Sequence, residues 1–138
     1  MVRDWTLSRR DCEVVNKYRK QYRLGFAIQL CAMRLYGRFL NQLHDLSPRV
    51  ISYLSSQLDL PPTLTVEVPE REATVLEHRN NILKYLGFHR FDDKVEADLD
   101  RWIEEHAQQG LLPDELFHRA ERHLLLKRIV LPGPTTIE

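Results

Sequence analysis

The stretch from Arg23 to Arg38 constrains this chain more than any other. Leu24, Ala27, Ile28, Cys31 and Leu35 recur at helical spacing, and Phe26, Leu30 and Met33 widen the apolar stripe. Only Gln29, Arg34 and Arg38 keep the stretch wet. A helix this apolar around its circumference has to be packed on more than one side. The sequence therefore predicts a central helix over about 23–38.

Helical start and stop signals divide the rest. Ser8 caps a first helix and Asp11, three residues on, completes a capping box. Cys12, Val15 and Tyr18 form the face of that helix. Ser47-Pro48 opens a third helix, with Ile51, Leu54 and Leu58 inward, and Asp59-Leu60-Pro61-Pro62 ends it. Residues 61–69 hold three prolines around Leu64, Val66 and Val68, which favours a loop over a strand. A fourth helix runs over about 71–86 on Val75, Leu76, Ile82 and Leu83, closed by Gly87. Asp93 with Glu96 opens a fifth, bearing Val95, Leu99, Trp102, Ile103 and His106. Pro113 opens a sixth, with Leu116, Phe117, Ala120 and Leu124 inward, ending near Arg128; the tail leaves the helix at Pro132. The expected fold is all-α, with six helices in two trihelical, helix-turn-helix-like halves. The first half is 1–60, the linker loop 61–69 and the second half 70–138. Ile28, Cys31, Leu54, Leu83, Trp102 and Leu124 are expected in the core.

Composition narrows the function classes. With 43% apolar and 29% charged residues in 138, the chain has an ordinary globular balance and can bury a sizeable core. The net charge is zero, but residues 1–60 carry +5 and residues 61–138 carry −5. A local basic face can thus still meet a polyanion. Cys12 and Cys31 are too few for a disulfide scaffold and read as buried free thiols of a reducing compartment. There is neither a membrane-length apolar run nor the apolar core of a signal peptide, so the chain reads as cytoplasmic. Phosphate-binding glycine loops, Cys-x-x-Cys, His-Glu-x-x-His and a nucleophile-elbow serine are all missing. The six histidines, at 44, 78, 89, 106, 118 and 123, include no i, i+4 pair. The acidic run from Asp92 to Glu105 reads as helix-start acids and a solvated face. No catalytic group, metal or cofactor is expected.

The basic residues of the first half are the better lead. Lys17, Arg19, Lys20 and Arg23 interleave with Tyr18 and Tyr22, and Arg34, Arg38 and Arg49 follow. Arginine and lysine with tyrosine around helix ends suit a phosphate backbone, and three helices with a Ser-Pro-capped third have a helix-turn-helix outline.

Several motifs, in order, make the chain resemble one family. They are Trp5-Thr6-Leu7-Ser8, Arg23-Leu24-Gly25-Phe26-Ala27-Ile28-Gln29-Leu30, Gly37-Arg38-Phe39, Ser47-Pro48 with Val50 and Tyr53, and Gln57-Leu58. Arg71-x-x-Thr74 with His78, Ile82 and Leu86-Gly87-Phe88 comes next, and Arg128-Ile129-Val130-Leu131-Pro132-Gly133-Pro134 closes the series. Together they resemble the amino-terminal region of class II replicative, Tn-three-type transposases. The resemblance implies a helical DNA-binding module for double-stranded terminal inverted repeats. It implies a carboxylate-triad, RNase-H-like catalytic domain elsewhere in the parent protein, so that this chain reads as a non-catalytic piece of a bacterial transposase, nucleoid-associated when bound to DNA. Phosphate contacts are expected from Lys17, Arg19, Lys20, Arg23, Arg34 and Arg38. Base reading is expected from Arg49, Ser52, Tyr53 and Ser56, and from Arg71, Thr74 and His78, which stand at i, i+3 and i+7 on one helical stripe. One departure stands out: the segment around Arg71 is usually strongly basic in that family, and here it carries Glu70, Glu72 and Glu77. The alternative is a helical assembly module, its acidic second half serving self-association of the parent transposase.

Overall fold

A computed structural model describes residues 2–43, 46–61 and 66–131. A single-turn 3-10 helix, Val2–Trp5, precedes six α-helices: α1 Arg9–Val15, α2 Lys20–Tyr36, α3 Pro48–Gln57, α4 Glu72–Leu86, α5 Asp93–Ala107 and α6 Pro113–Leu126. Among the described residues there is no sheet, and the one extended pairing is an isolated parallel bridge between His89 and Ile129. The all-α expectation holds, with six α-helices among the described residues. Leu64 and Pro62, in the segment read as a loop, and the Pro132–Pro134 motif lie outside the described residues.

The chain packs as two units, 1–86 and 87–138. The sequence reading placed the division at 61–69 and grouped α4 with the last two helices. In the structure α4 packs on α2, inside the first unit, so the helices group four and two. Gly25 is part of the reason the loop fails to separate them. A Cβ there would lie 3.1 Å from the Glu67 carbonyl oxygen and 3.4 Å from Leu43 Cδ1, so the glycine lets segment 66–67 pass directly over α2.

The first unit is built around α2, which contacts the 3-10 turn, α1, α3 and α4. Leu24, Ala27, Ile28, Leu30, Ala32 and Met33 are fully buried. Gly37 ends α2 in the left-handed region at φ 70°. Two glutamines clip the connections: Gln29 both donates to Leu40 O (2.8 Å) and accepts from Leu40 N (2.7 Å). Gln57 does the same for the N-terminal segment, accepting from Leu7 N (2.7 Å) and donating to Trp5 O (3.0 Å).

The Ser8–Asp11 capping box forms: Asp11 N donates to Ser8 Oγ at 3.0 Å and Ser8 N to Asp11 Oδ2 at 2.9 Å. Asp11 does more than cap. Its buried carboxylate also accepts both terminal nitrogens of Arg34, at 2.9 and 2.7 Å, and the Tyr85 hydroxyl, at 2.6 Å. Burial alone would raise its pKa. The hydrogen bonds from Arg34, Tyr85 and Ser8, with the Arg34 charge, win and hold it down to about 2. One carboxylate thus ties α1 to α2 and α4.

The second unit is smaller. Leu124, Ile129 and Leu131 form its core, with Phe91, Val95 and Leu99 packed against it. Asp92, not Asp93, caps α5, accepting from Val95 N at 2.8 Å. Gly87 takes φ 73°, the left-handed conformation that suits a residue just past a helix end. Of the expected core, Ile28, Cys31, Leu54, Leu83 and Leu124 are buried. Trp102 is only half-buried, with the rings of His106 and His123 stacked on it at 4.0 and 5.0 Å. Cys31 is buried, and its surroundings push the thiol up to about 11, whereas Cys12 is half-buried rather than buried.

Candidate nucleic-acid interface

The connection between α1 and α2 is held from inside. Arg23 Nε donates to Tyr18 O at 2.9 Å and its Nη2 to Asn16 O at 3.0 Å, which occupies the guanidinium with the turn's own carbonyls. Lys17, Arg19 and Lys20 are left exposed on that turn and the first turn of α2. Tyr18, between them, is half-buried. Its ring stacks on Phe26 at 4.1 Å and its hydroxyl accepts from Asn81 Nδ2 at 3.0 Å.

His78 completes this anchor. Its ring stands edge-on to Tyr18 (4.8 Å), Phe26 (5.7 Å) and Tyr22 (6.2 Å). Burial pushes its pKa down, opposed by the charge of Glu77, which favours the neutral ring. Because α4 is fixed to the turn at His78 and Asn81, the preceding turns of α4 come alongside it. Lys17, Arg19, Arg71, Thr74 and His78, separated by more than fifty residues of chain, line one open depression with Tyr18, Gln21 and Tyr22. Glu67 and Glu70 stand on the same wall; Glu72 and Glu77 do not. The acidic departure at the start of α4 is thus partly turned away from this surface.

The other candidates lie elsewhere. Arg34, read as a phosphate contact, is paired in fork-to-fork fashion with Asp11. Arg38 is half-buried. On α3, Arg49, Ser52 and Ser56 are exposed, while Tyr53 is half-buried and its hydroxyl shares a 2.7 Å hydrogen bond with Thr6 Oγ1. None of the α3 residues lines the depression. The sequence reading missed the anchoring role of Tyr18 and Asn81. Its available signal was the alternation of tyrosines with cations over 17–23. Among the described residues, no group of three or more His, Cys, Asp or Glu side chains is placed to hold a metal ion. No helix there is long and apolar enough to cross a membrane.

An all-helical module whose first unit gathers cations into one depression is the class that this geometry defines. The chain belongs to the family described as "Domain of unknown function (DUF4158)", which it matches over residues 1–138. Its relatives are transposases. It is 31% identical, over 97% of its length, to the transposase for transposon Tn1546 of Enterococcus faecium. It is 33% identical, over 99%, to the transposase for transposon gamma-delta of Escherichia coli (strain K12). It is 32% identical, over 100%, to the transposase for transposon Tn501 of Pseudomonas aeruginosa. The chain spans about 14% of the length of these curated relatives.

Proposed function

We propose that this chain is a non-catalytic DNA-binding module of a transposase, and that its first unit binds duplex DNA of the transposon's terminal inverted repeats. The observation that carries the reading is the meeting of Lys17 and Arg19 with Arg71 and Thr74 in one depression. Exposed cations on a tight turn suit phosphates, and an arginine with a threonine on the adjoining helix suits base edges. Lys20 flanks the site as an exposed cation. Arg49, Ser52 and Ser56 on α3 form a second exposed polar stripe, the part of the surface that a helix-turn-helix docking would use. His78 supports the site from beneath as a packed ring.

The test is an electrophoretic shift of terminal-repeat and random duplexes with wild type and Arg71→Ala. If Arg71 reads a base, the variant loses about 1–3 kcal/mol on the repeat and much less on random DNA. Equal losses on both make Arg71 a backbone contact, and no loss on either removes α4 from the interface. A second reading, subunit assembly, draws on residues 87–131. There α5 buries none of its residues, and Leu112 and Leu126 are 65% and 80% exposed.

A further inference from the structure

A second cleft, of about 230 Å3, lies in the first unit beside the cationic depression. The two share Tyr22, His78 and the segment Glu67–Pro69 as a common wall. The lining of the cleft is largely apolar and aromatic, with Tyr22 and Phe26 from α2 and Val75 and Ile82 from α4. The Gln29 amide is already paired in both directions with Leu40, whereas Asn41, Gln42 and Glu67 are exposed residues of the same lining. A volume below the ~300 Å3 typical of drug-sized ligand sites matches a single ring system.

We infer that this cleft is a nucleobase site, taking one unpaired base from the DNA whose backbone the neighbouring depression holds. The inference rests on the DNA-binding reading of that depression. Three features favour a base over an apolar side chain of a partner protein. The half-buried Tyr22 ring in the lining offers stacking, which every base can use. Asn41, Gln42 and Glu67 in the lining are residue types that hydrogen-bond a base edge, which an apolar side chain would leave unmet. The shared wall puts the cleft next to cations suited to the phosphates flanking such a base. A carboxylate accepts hydrogen bonds and cannot donate them. Glu67 therefore favours a base edge rich in donors, and an exocyclic amino group brings two N–H donors where uracil brings only N3–H; the residue also gains a use that a carboxylate facing phosphate would lack.

The probe is the free nucleoside, which reads the cleft without any duplex. Cytidine and uridine are compared because they match in size and differ in the amino group. In 1H–15N spectra of the full chain, cytidine should produce saturable shifts at Tyr22, Gln42, Val75 and Ile82, with uridine about tenfold weaker. Glu67→Gln should remove most of that discrimination while the folded spectrum is kept. Absence of saturable shifts with either nucleoside overturns the proposal, and so does equal affinity for the two in wild type. A parallel duplex shift separates the two readings. Duplex binding without nucleoside binding overturns the cleft and leaves the DNA reading intact. Nucleoside binding with the expected preference upholds the cleft even where the duplex fails to shift.

Discussion

Helix α2 buries nine of its residues and α5 buries none. Both helices carry a clear apolar face, and it is α5 that has the side-chain N-cap, so local sequence quality does not explain the difference. What separates them is the number of neighbours. Around α2 stand the 3-10 turn and three helices, and a buried carboxylate cross-links α1, α2 and α4. In the second unit α5 has α6 and the segment ending in Ile129 and Leu131. A two-helix unit leaves one side of each helix in water, so a periodic apolar residue such as Trp102 is covered on part of its surface only. The first unit has the rigidity to hold a site built from distant segments, and the second has not been given the same depth of packing.

The largest expected effect is in the α2 core. Ile28→Ala should destabilise the first unit by about 4 kcal/mol, since full burial on several sides limits collapse of the cavity. Denaturant unfolding followed by Trp5 fluorescence checks it, and a loss near 1 kcal/mol would erase the contrast in packing. Asp11→Ala should cost about 3 kcal/mol by the same measurement, because Arg34 and Tyr85 lose their acceptor.

Acid sharpens the point. The Asp11 pKa is depressed from the ordinary 3.8 to about 2, so its contribution is complete above pH 4 and is lost as pH falls through about 2. That contribution is about 2 kcal/mol. The stability gap between wild type and Asp11→Asn should narrow by this amount between pH 5 and pH 2, measured in urea. A gap that stays constant with pH would show that the carboxylate is not held in its charged form. The smallest effect belongs to the second unit: Trp102→Ala should cost about 1 kcal/mol, below the 3–5 kcal/mol typical of truncating a core aromatic. A cost in that upper range would mean that α5 is packed as deeply as α2.

Much of the fold was legible in the sequence because caps and periodicity are local. Ser8 with Asp11, Ser47-Pro48 and Gly87 mark the ends where they occur. The grouping of the helices was not legible, because a proline-rich segment looks like a boundary whether or not it crosses a neighbouring helix. Gly25, inside an apolar helical stripe, was the available sign of a close backbone approach. The site was legible in part. Lys17, Arg19, Arg71, Thr74 and His78 do line one surface. Arg34, expected to contact phosphate, is paired with Asp11, 23 residues away, and nothing local marks an arginine as paired. His78 was read as a donor, but its aromatic neighbours come from residues 18–26, a contact that only the tertiary fold creates.

The central claim is that the depression between the α1–α2 turn and α4 holds a DNA backbone. The most direct measurement is the salt dependence of duplex binding for wild type and for the Lys17→Ala, Arg19→Ala double variant. Both positions are exposed, so the folded state is kept. The slope of log K against log salt should become shallower by about two, with weaker binding to terminal-repeat and random duplexes alike. Unchanged affinity and an unchanged slope in the double variant would contradict it.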